Sequence, residues 1–532
     1  MKRHMLMPVA ILLLLAACAS PSLGAVIYTS GCEEGDENLF NSGSLIHFID
    51  EARPAAVFDQ SLTPADDTTP YKENWESAHL KIARPYANSS FPVNIAPPRI
   101  RWEDETDNLW MVSITAPGWE SPLCAVTKSK HWSPSASSWE ALKKAAGASS
   151  IRLEVRGCRV IDGKRVGTTV YTDEVTFSIS KYPVDPLVVY RLVTPLFHSA
   201  KTPDMFFLNV ATLDSGLFYP SAGSYCTNCH SFPNTPSTPE KDYNLAIAIR
   251  HRDGDKRLTV LGLYNFLQRQ GKGISASTFF MSWNPDGTKL AVCEGKDTYS
   301  KPLTTLETQE FLVRMADIHI VDRVTGEDSL LPGASSRDYM ETFPAWSTDG
   351  KTILFTRAEE IGDNWHPLKF SIYQVPYNDG KGGESTPLPG ASENGKSNFF
   401  PRFSPDGKWM VWTVAEWSSL VSPTSDLWIT SARDWSNPRK LECNCDCAMD
   451  SHHSWSSNSR WLLFTSKRDD GIFARMYLTE IDEEGHASAP VEVPTPGGDD
   501  VMCYNVPEFM KFDLPIDAWD ILNQTGHATQ PR

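Results

Sequence analysis

The sequence predicts an all-β chain: a six-bladed β-propeller preceded by a small β-sandwich. Three observations carry that reading. Aromatic and turn-forming residues are abundant (17 Trp, 24 Phe, 16 Tyr, 32 Gly, 38 Pro), while long apolar runs of helical period are scarce. Short runs of alternating apolar and polar residues mark the segment from about residue 85 to 182. A strand–turn–strand pattern then recurs at intervals of 51 to 63 residues, the length a four-stranded blade and its loops require.

Taken in order, residues 1–17 read as an export signal. Lys2, Arg3 and His4 make a positive start, and Pro8 to Ala17 is an apolar run of ten residues, too short for a stable transmembrane helix. Leu15-Ala16-Ala17-Cys18 resembles a bacterial lipobox, in which Cys18 would be lipidated and become the first mature residue. Ala19 stands where an Asp would favour inner-membrane retention, so the resemblance implies a cell-envelope lipoprotein, with the outer membrane favoured. An ordinary secretory signal ending in Ala-Ala-Cys is the alternative.

Residues 18–84 are polar and rich in Pro, Asp and Ser, and read as a tether leading into the first strands. Residues 85–182 hold the alternating runs Leu109–Ile114, Ile151–Val155 and Glu174–Ile179, the pattern of an immunoglobulin- or fibronectin-like sandwich. Cys124 and Cys158 are candidates to staple it, and Trp139–Ala146 reads as a short helix. Residues 183–224 read as a connecting segment, 225–515 as the propeller and 516–532 as a tail.

Within the propeller, an aromatic residue precedes a hairpin turn in four clear repeats. The anchors are Trp283, Trp346, Phe403 and Trp455. Asp-Gly follows in the first three, where glycine accepts the positive φ of the turn. The register extends back to Phe232 and forward to Phe509, giving six units. Trp346-Ser-Thr-Asp-Gly-Lys351 and Phe403-Ser-Pro-Asp-Gly-Lys408 resemble the PD40 repeats of the TolB-like propeller family. Blades 1 and 6 lack the turn, and the resemblance implies architecture rather than activity.

Blade 1 opens on Tyr225-Cys226-Thr227-Asn228-Cys229-His230-Ser231-Phe232. Cys-x-x-Cys-His is the attachment pattern of a c-type haem: two thiols form thioethers to one porphyrin, and the following histidine ligates its iron. A disulfide, a thioredoxin-type pair and half of a zinc site are the alternatives. Such a motif opening this propeller in an exported lipoprotein is similar to haem-bearing TolB-like proteins of bacteria. In the TolB-like pattern the anchor lies on the innermost strand of each blade, and the residues just before it enter from a loop at one channel mouth. Two residues before the anchors stand His230, Met281, Pro344, Pro401, His453 and Pro507. His230 is the proximal candidate, His453 the first distal candidate and Met281 the second; an open sixth site is the further alternative. Met281 also reads as a core filler.

A second constellation, Cys443, Cys445 and Cys447 with Asp450, His452 and His453, has donors for a soft metal but not zinc-finger spacing. In an oxidising compartment disulfides are the expectation, with Cys503 as a partner for one of the three because pairing within Cys-x-Cys is strained. Removing residues 1–17 leaves 47 basic against 66 acidic residues, a net charge of −19. That excludes nucleic acid as a natural partner, allows a basic redox protein, and leaves the lipid anchor as the link to a membrane.

The leading functional expectation is an envelope cytochrome carrying one covalent haem c and passing single electrons; whether it is also an enzyme stays open. One alternative is a haem enzyme or sensor with an open iron site, in which His452, His453, Lys467 or Arg468 assists a small oxidised substrate. The other is a propeller that binds protein or glycan, with the haem structural or absent.

Overall fold

The computed structural model describes residues 26–28, 79–147, 149–166, 170–193, 204–221, 224–233, 245–253, 256–275, 278–299, 311–360, 368–417, 422–496 and 502–525. The signal, Cys18, Cys32, most of the tether and the side chain of Cys226 lie outside these. The chain forms two compact units, residues 1–83 with 100–176, and residues 84–99 with 177–532. Among the described residues no helix is long and apolar enough to cross a membrane.

The first unit is the sandwich. Leu109–Thr115 is the central strand of one sheet, antiparallel to Leu123–Thr127 on one side and Ile151–Cys158 on the other. Val26–Tyr28 adds in parallel at one edge, and Tyr171–Ile179 follows Ile151–Cys158. Ile100–Glu103 belongs to a second sheet, and its Trp102 meets Trp110 of the first with ring centres 6.0 Å apart. Helix α1 (Ala136–Ala146) forms where the sequence predicts one; Ser135 caps it by accepting from the Ser138 N–H, and Trp139 and Leu142 are its buried face.

The disulfide expected between Cys124 and Cys158 is absent. The register sets Cys124 opposite Ser113 and Cys158 opposite Leu109, on strands separated by the central one, so the two buried cysteines do not pair with each other. In this unit Asp104 accepts from the Thr106 and Asp107 N–H groups and from the Trp110 indole, which hold its charge in place. Asp107 is wedged beside it over Gly157, where a Cβ would stand 2.5 Å from Asp107 Oδ2. Burial, then the Asp104 charge, pushes the Asp107 carboxyl up to about 7.

A raised carboxyl favours the folded state at low pH, so its contribution is full below pH 4 and is lost as pH rises through 7. Asp107→Asn is therefore expected to raise the stability of this unit at pH 8 by about 1 kcal/mol after allowance for solvent screening, and to change little at pH 4. Thermal unfolding at the two pH values reads this out; an equal effect at both would remove the assignment.

The second unit is the six-bladed propeller. Five blades follow one another as four-stranded antiparallel meanders, with innermost strands Ser224–Ser231, Thr278–Trp283, Tyr339–Trp346, Ser397–Phe403 and Asp450–Trp455. The sixth closes the ring from both ends of the unit. Its innermost strand is the late segment Cys503–Met510, which pairs with Leu187–Val193; Met205–Asn209 and Ser215–Tyr219 complete it. Residues 183–224 are thus not a connector: their apolar runs are the three outer strands of blade 6. Leu187–Val193 is almost wholly buried because it is paired on both edges.

The blades are joined by apolar clusters. Leu187, Val189 and Phe218 of blade 6 pack with Phe232, Leu245 and Ile247 of blade 1, and similar clusters join the other neighbours. In the inner hairpins Gly287, Gly350 and Gly407 take φ of 69°, 73° and 69°, as the Asp-Gly turns require. Ser459 takes 61° in blade 5 and makes the same turn without glycine.

Residues 85–99, expected to open the sandwich, belong with Arg84 to the propeller unit. Arg84 is buried against Asp469 and the Tyr477 hydroxyl, Ser90 donates to Glu480, and Ala96 N–H donates to Val210 O. The tail also has structure. Helix α2 (Ala518–Thr525) lies on blade 1, with Ile521 in the blade 1–6 cluster and Asp520 bonded to Tyr264. Gly262 and Gly271 permit the approach, since a Cβ there would stand 2.7 Å from Thr525 Cβ and 2.8 Å from Gln524 Cβ.

Candidate functional site

Each innermost strand carries the same irregularity. The register slips between Thr227 and His230, Thr278 and Met281, Thr342 and Ala345, Phe399 and Arg402, Ser451 and Ser454, and across Asn505 and Glu508. These are β-bulges, in which two residues oppose one. In four blades the residue three before the anchor sits at positive φ: Phe343 at 48°, Phe400 at 57°, His452 at 51° and Val506 at 49°. Such backbone is costly for these residue types, and it recurs here at one place in the fold. The positions two before the anchor, expected to enter from a loop, are therefore within the strand at its bulge, and all six are buried.

In blade 1 the bulge acts on the Cys-x-x-Cys-His motif. In a regular strand residues i and i+3 lie on opposite faces. Here Cys226 is opposite Arg250, Thr227 opposite Ile249 and His230 opposite Ile247, so two residues share the place opposite Ala248. The extra residue sets Cys229 on the face of Ala248, and His230 takes the opposite face. Cys229 is buried with Ala246, Ala248 and Met281. His230 is 3% exposed and meets the Phe232 ring edge-on at 5.8 Å. Met281 sits in the apolar cluster of blades 1 to 3, as a core filler does.

His453, two blades away, is 1% exposed. Its Nε2 lies 3.1 Å from Val411 O, which can only accept, so Nε2 carries the proton and Nδ1 the lone pair. That Nδ1 is buried and has no hydrogen-bond partner. Burial first, then Arg402 and His452, pushes the imidazole down to about 3 against the Val411 bond, so the ring is neutral, the state in which histidine ligates a metal. Phe400 packs edge-on against it at 5.4 Å. His452 is likewise neutral, with Nδ1 3.3 Å from Thr465 Oγ1.

The register sets Cys229 and His230 on opposite faces of the strand, Cys229 toward blade 2 and His230 toward Phe232 of the blade 1–6 cluster. The motif as placed therefore does not turn both toward one porphyrin, while the same register column holds the orphaned, neutral, buried His453 nitrogen. Other expected participants are committed elsewhere. Arg468 is buried, bonds Asp450 at 2.7 Å and the Cys443 carbonyl at 2.9 Å, and lies over the Tyr477 ring, so it is not free to assist a substrate. The cysteine constellation is not a thiolate set. Cys445 and Cys447 form a disulfide with each other, and Cys443 is a buried thiol whose ionisation burial suppresses. The bridge expected from Cys503 is absent: Cys503 is a free thiol, 3.5 Å from Ile472 O and in hydrogen-bond reach of Ala474 N–H.

The sequence reading missed the column one residue before the anchor. Ser231, Ser282, Ala345, Arg402, Ser454 and Glu508 contribute one side chain per blade to a cavity of about 120 Å³ at the end where the innermost strands finish. Arg402 pairs with Glu508 across it at 2.8 Å and lies over the Phe400 ring. This space suits water or a small polar molecule, not a macrocycle, since pockets for larger ligands take about 300 Å³ or more. The signal was available, because the repeat register aligns these six positions as surely as the column beside them.

No family model matches the chain, and no curated protein matches it. Solved structures do. TolB from Acinetobacter baumannii is 13% identical with a TM-score of 0.41, over 81% of this chain and 99% of that one. A TolB homologue from Agrobacterium tumefaciens is 14% identical with a TM-score of 0.34, over 57% and 88%. Kuenenia stuttgartiensis hydrazine synthase is 11% identical with a TM-score of 0.41, over 62% and 47%. At these identities the likeness is one of fold.

Proposed function

We propose that this chain is a c-type cytochrome of the bacterial cell envelope, tethered by lipid at Cys18 and passing single electrons. One haem would be held by Cys226 and Cys229, with His230 as proximal ligand and His453 as the first candidate opposite. When bound, it supplies an iron that takes up and releases one electron. The Cys226-x-x-Cys229-His230 motif carries this reading, supported by the buried His453 Nδ1 that has no hydrogen-bond partner in the same register column. The protein's own part is to fix the ligand states: Val411 O holds the His453 proton on Nε2, and burial keeps the ring neutral. The acidic surface, net −19 after signal removal, suits a basic redox partner.

The cavity with its Arg402–Glu508 pair favours a second reading, in which the propeller binds a small polar ligand and the haem is structural or absent. Optical and EPR spectra of protein made with a cytochrome c maturation system separate the two. A low-spin six-coordinate haem supports electron transfer, and a colourless protein leaves the binding reading. His453→Ala is expected to convert the spectrum from low-spin to high-spin; an unaltered low-spin spectrum would remove His453 as the distal ligand.

A further inference from the structure

We infer that the face of blade 2 carries a divalent-cation site formed by Glu294, His319 and Asp328. The inference is independent of the haem reading. The three residues come from three successive strands, Lys289–Tyr299, Phe311–Asp322 and Asp328–Leu330. Antiparallel register sets Glu294 opposite Asp317, His319 opposite Leu330 and Val321 opposite Asp328, so Glu294, Asp317, His319 and Asp328 share one face.

His319 Nδ1 is 2.8 Å from Asp328 Oδ1 and 4.0 Å from Glu294 Oε2, and one donor atom from each residue lies within 4.8 Å of the others. An ion with bonds of about 2.1 Å needs adjacent donors about 3 Å apart and opposed donors about 4.2 Å apart, so small side-chain rotations would complete the shell. The side chains are 19%, 17% and 29% exposed for Glu294, His319 and Asp328, which leaves an ion a path from solvent.

The donor set selects the ion. One imidazole with two carboxylates, and Asp317 next along the strand, suits a first-row divalent ion such as Mn²⁺ or Zn²⁺ better than Ca²⁺, which prefers all-oxygen shells. Because each donor sits on a different strand of one ladder, the bound ion would clamp the outer edge of blade 2. No local motif reveals this set, since the donors are separated in sequence and meet only through strand pairing.

Mn²⁺ alone is the probe, because it competes poorly for the chain's thiols. Titration of the full metal-free chain, followed by loss of the free-ion EPR signal, is expected to show one equivalent bound. His319→Ala and Glu294→Gln should each weaken binding at least tenfold, with the unfolding midpoint without metal little changed. The near-isosteric glutamine keeps the test valid if the alanine variant misfolds. Absence of binding at millimolar Mn²⁺, or Glu294→Gln binding as tightly as the parent, overturns the site.

Discussion

Protein carrying both Cys226→Ser and Cys229→Ala is expected to leave the cytochrome c maturation system colourless, without the covalent mass of a porphyrin, while the parent is coloured and heavier. The effect is all-or-none for attachment, because each thioether needs its own thiol. The fold should survive. Cys229 is buried in an apolar cluster, and alanine there removes one small group at a cost of about 1 kcal/mol, a modest fraction of a propeller's stability. Serine at 229 would instead bury a hydroxyl among apolar neighbours and confuse loss of haem with loss of structure. His230→Ala should keep the covalent haem but alter its spin state. Retention of colour by the double variant, or a colourless parent, would defeat the cytochrome reading and leave the ring as a binding scaffold.

Truncation after Met502 is expected to abolish cooperative folding of the propeller. It removes the strand Cys503–Met510, leaves Leu187–Val193 as an unpaired inner edge and withdraws α2 from blade 1. An exposed apolar edge strand also invites aggregation. Truncation after Pro515 keeps the strand and loses only the helix, so it should remain folded with a lower midpoint. Phe509→Ala is the graded version: Phe509 is fully buried in the closing strand, and its loss should cost about 3–5 kcal/mol. Urea unfolding reads all three. An unchanged midpoint in the Met502 truncation would show that the ring does not depend on this closure.

The sequence made the inner hairpins legible because two strong signals coincide there, an aromatic anchor and an Asp-Gly turn. Trp455 sufficed in blade 5, where Ser459 replaces the glycine. The outer strands of blade 6 were not legible. The repeat marks only the inner pair of strands, and the partner of Leu187–Val193 lies more than 300 residues downstream. The placement of residues 84–99 was hidden for a similar reason: Arg84 is held by Asp469 and Tyr477, and neither shares a periodic pattern with it.

At the site, the column two residues before the anchors could be read from the register, but its bulge could not. Phe343, Phe400, His452 and Val506 take positive φ without a glycine to announce it. The cysteine pairing failed because spacing does not report which thiols face each other. Strand order separates Cys124 from Cys158, while the local turn brings Cys445 to Cys447.

The late closing strand has a consequence for biogenesis. A polypeptide threaded out of the cytoplasm from its amino end presents the Cys226–His230 motif long before Cys503–Met510 emerges. On the proposed reading, attachment enzymes meet an unfinished toroid, with the first blade still reachable. Completion of the circle then seals the modified segment inside, which sets an order of events: ligation before lock. A circular permutant that supplies the closing strand first would reverse that order and should emerge under-loaded with cofactor.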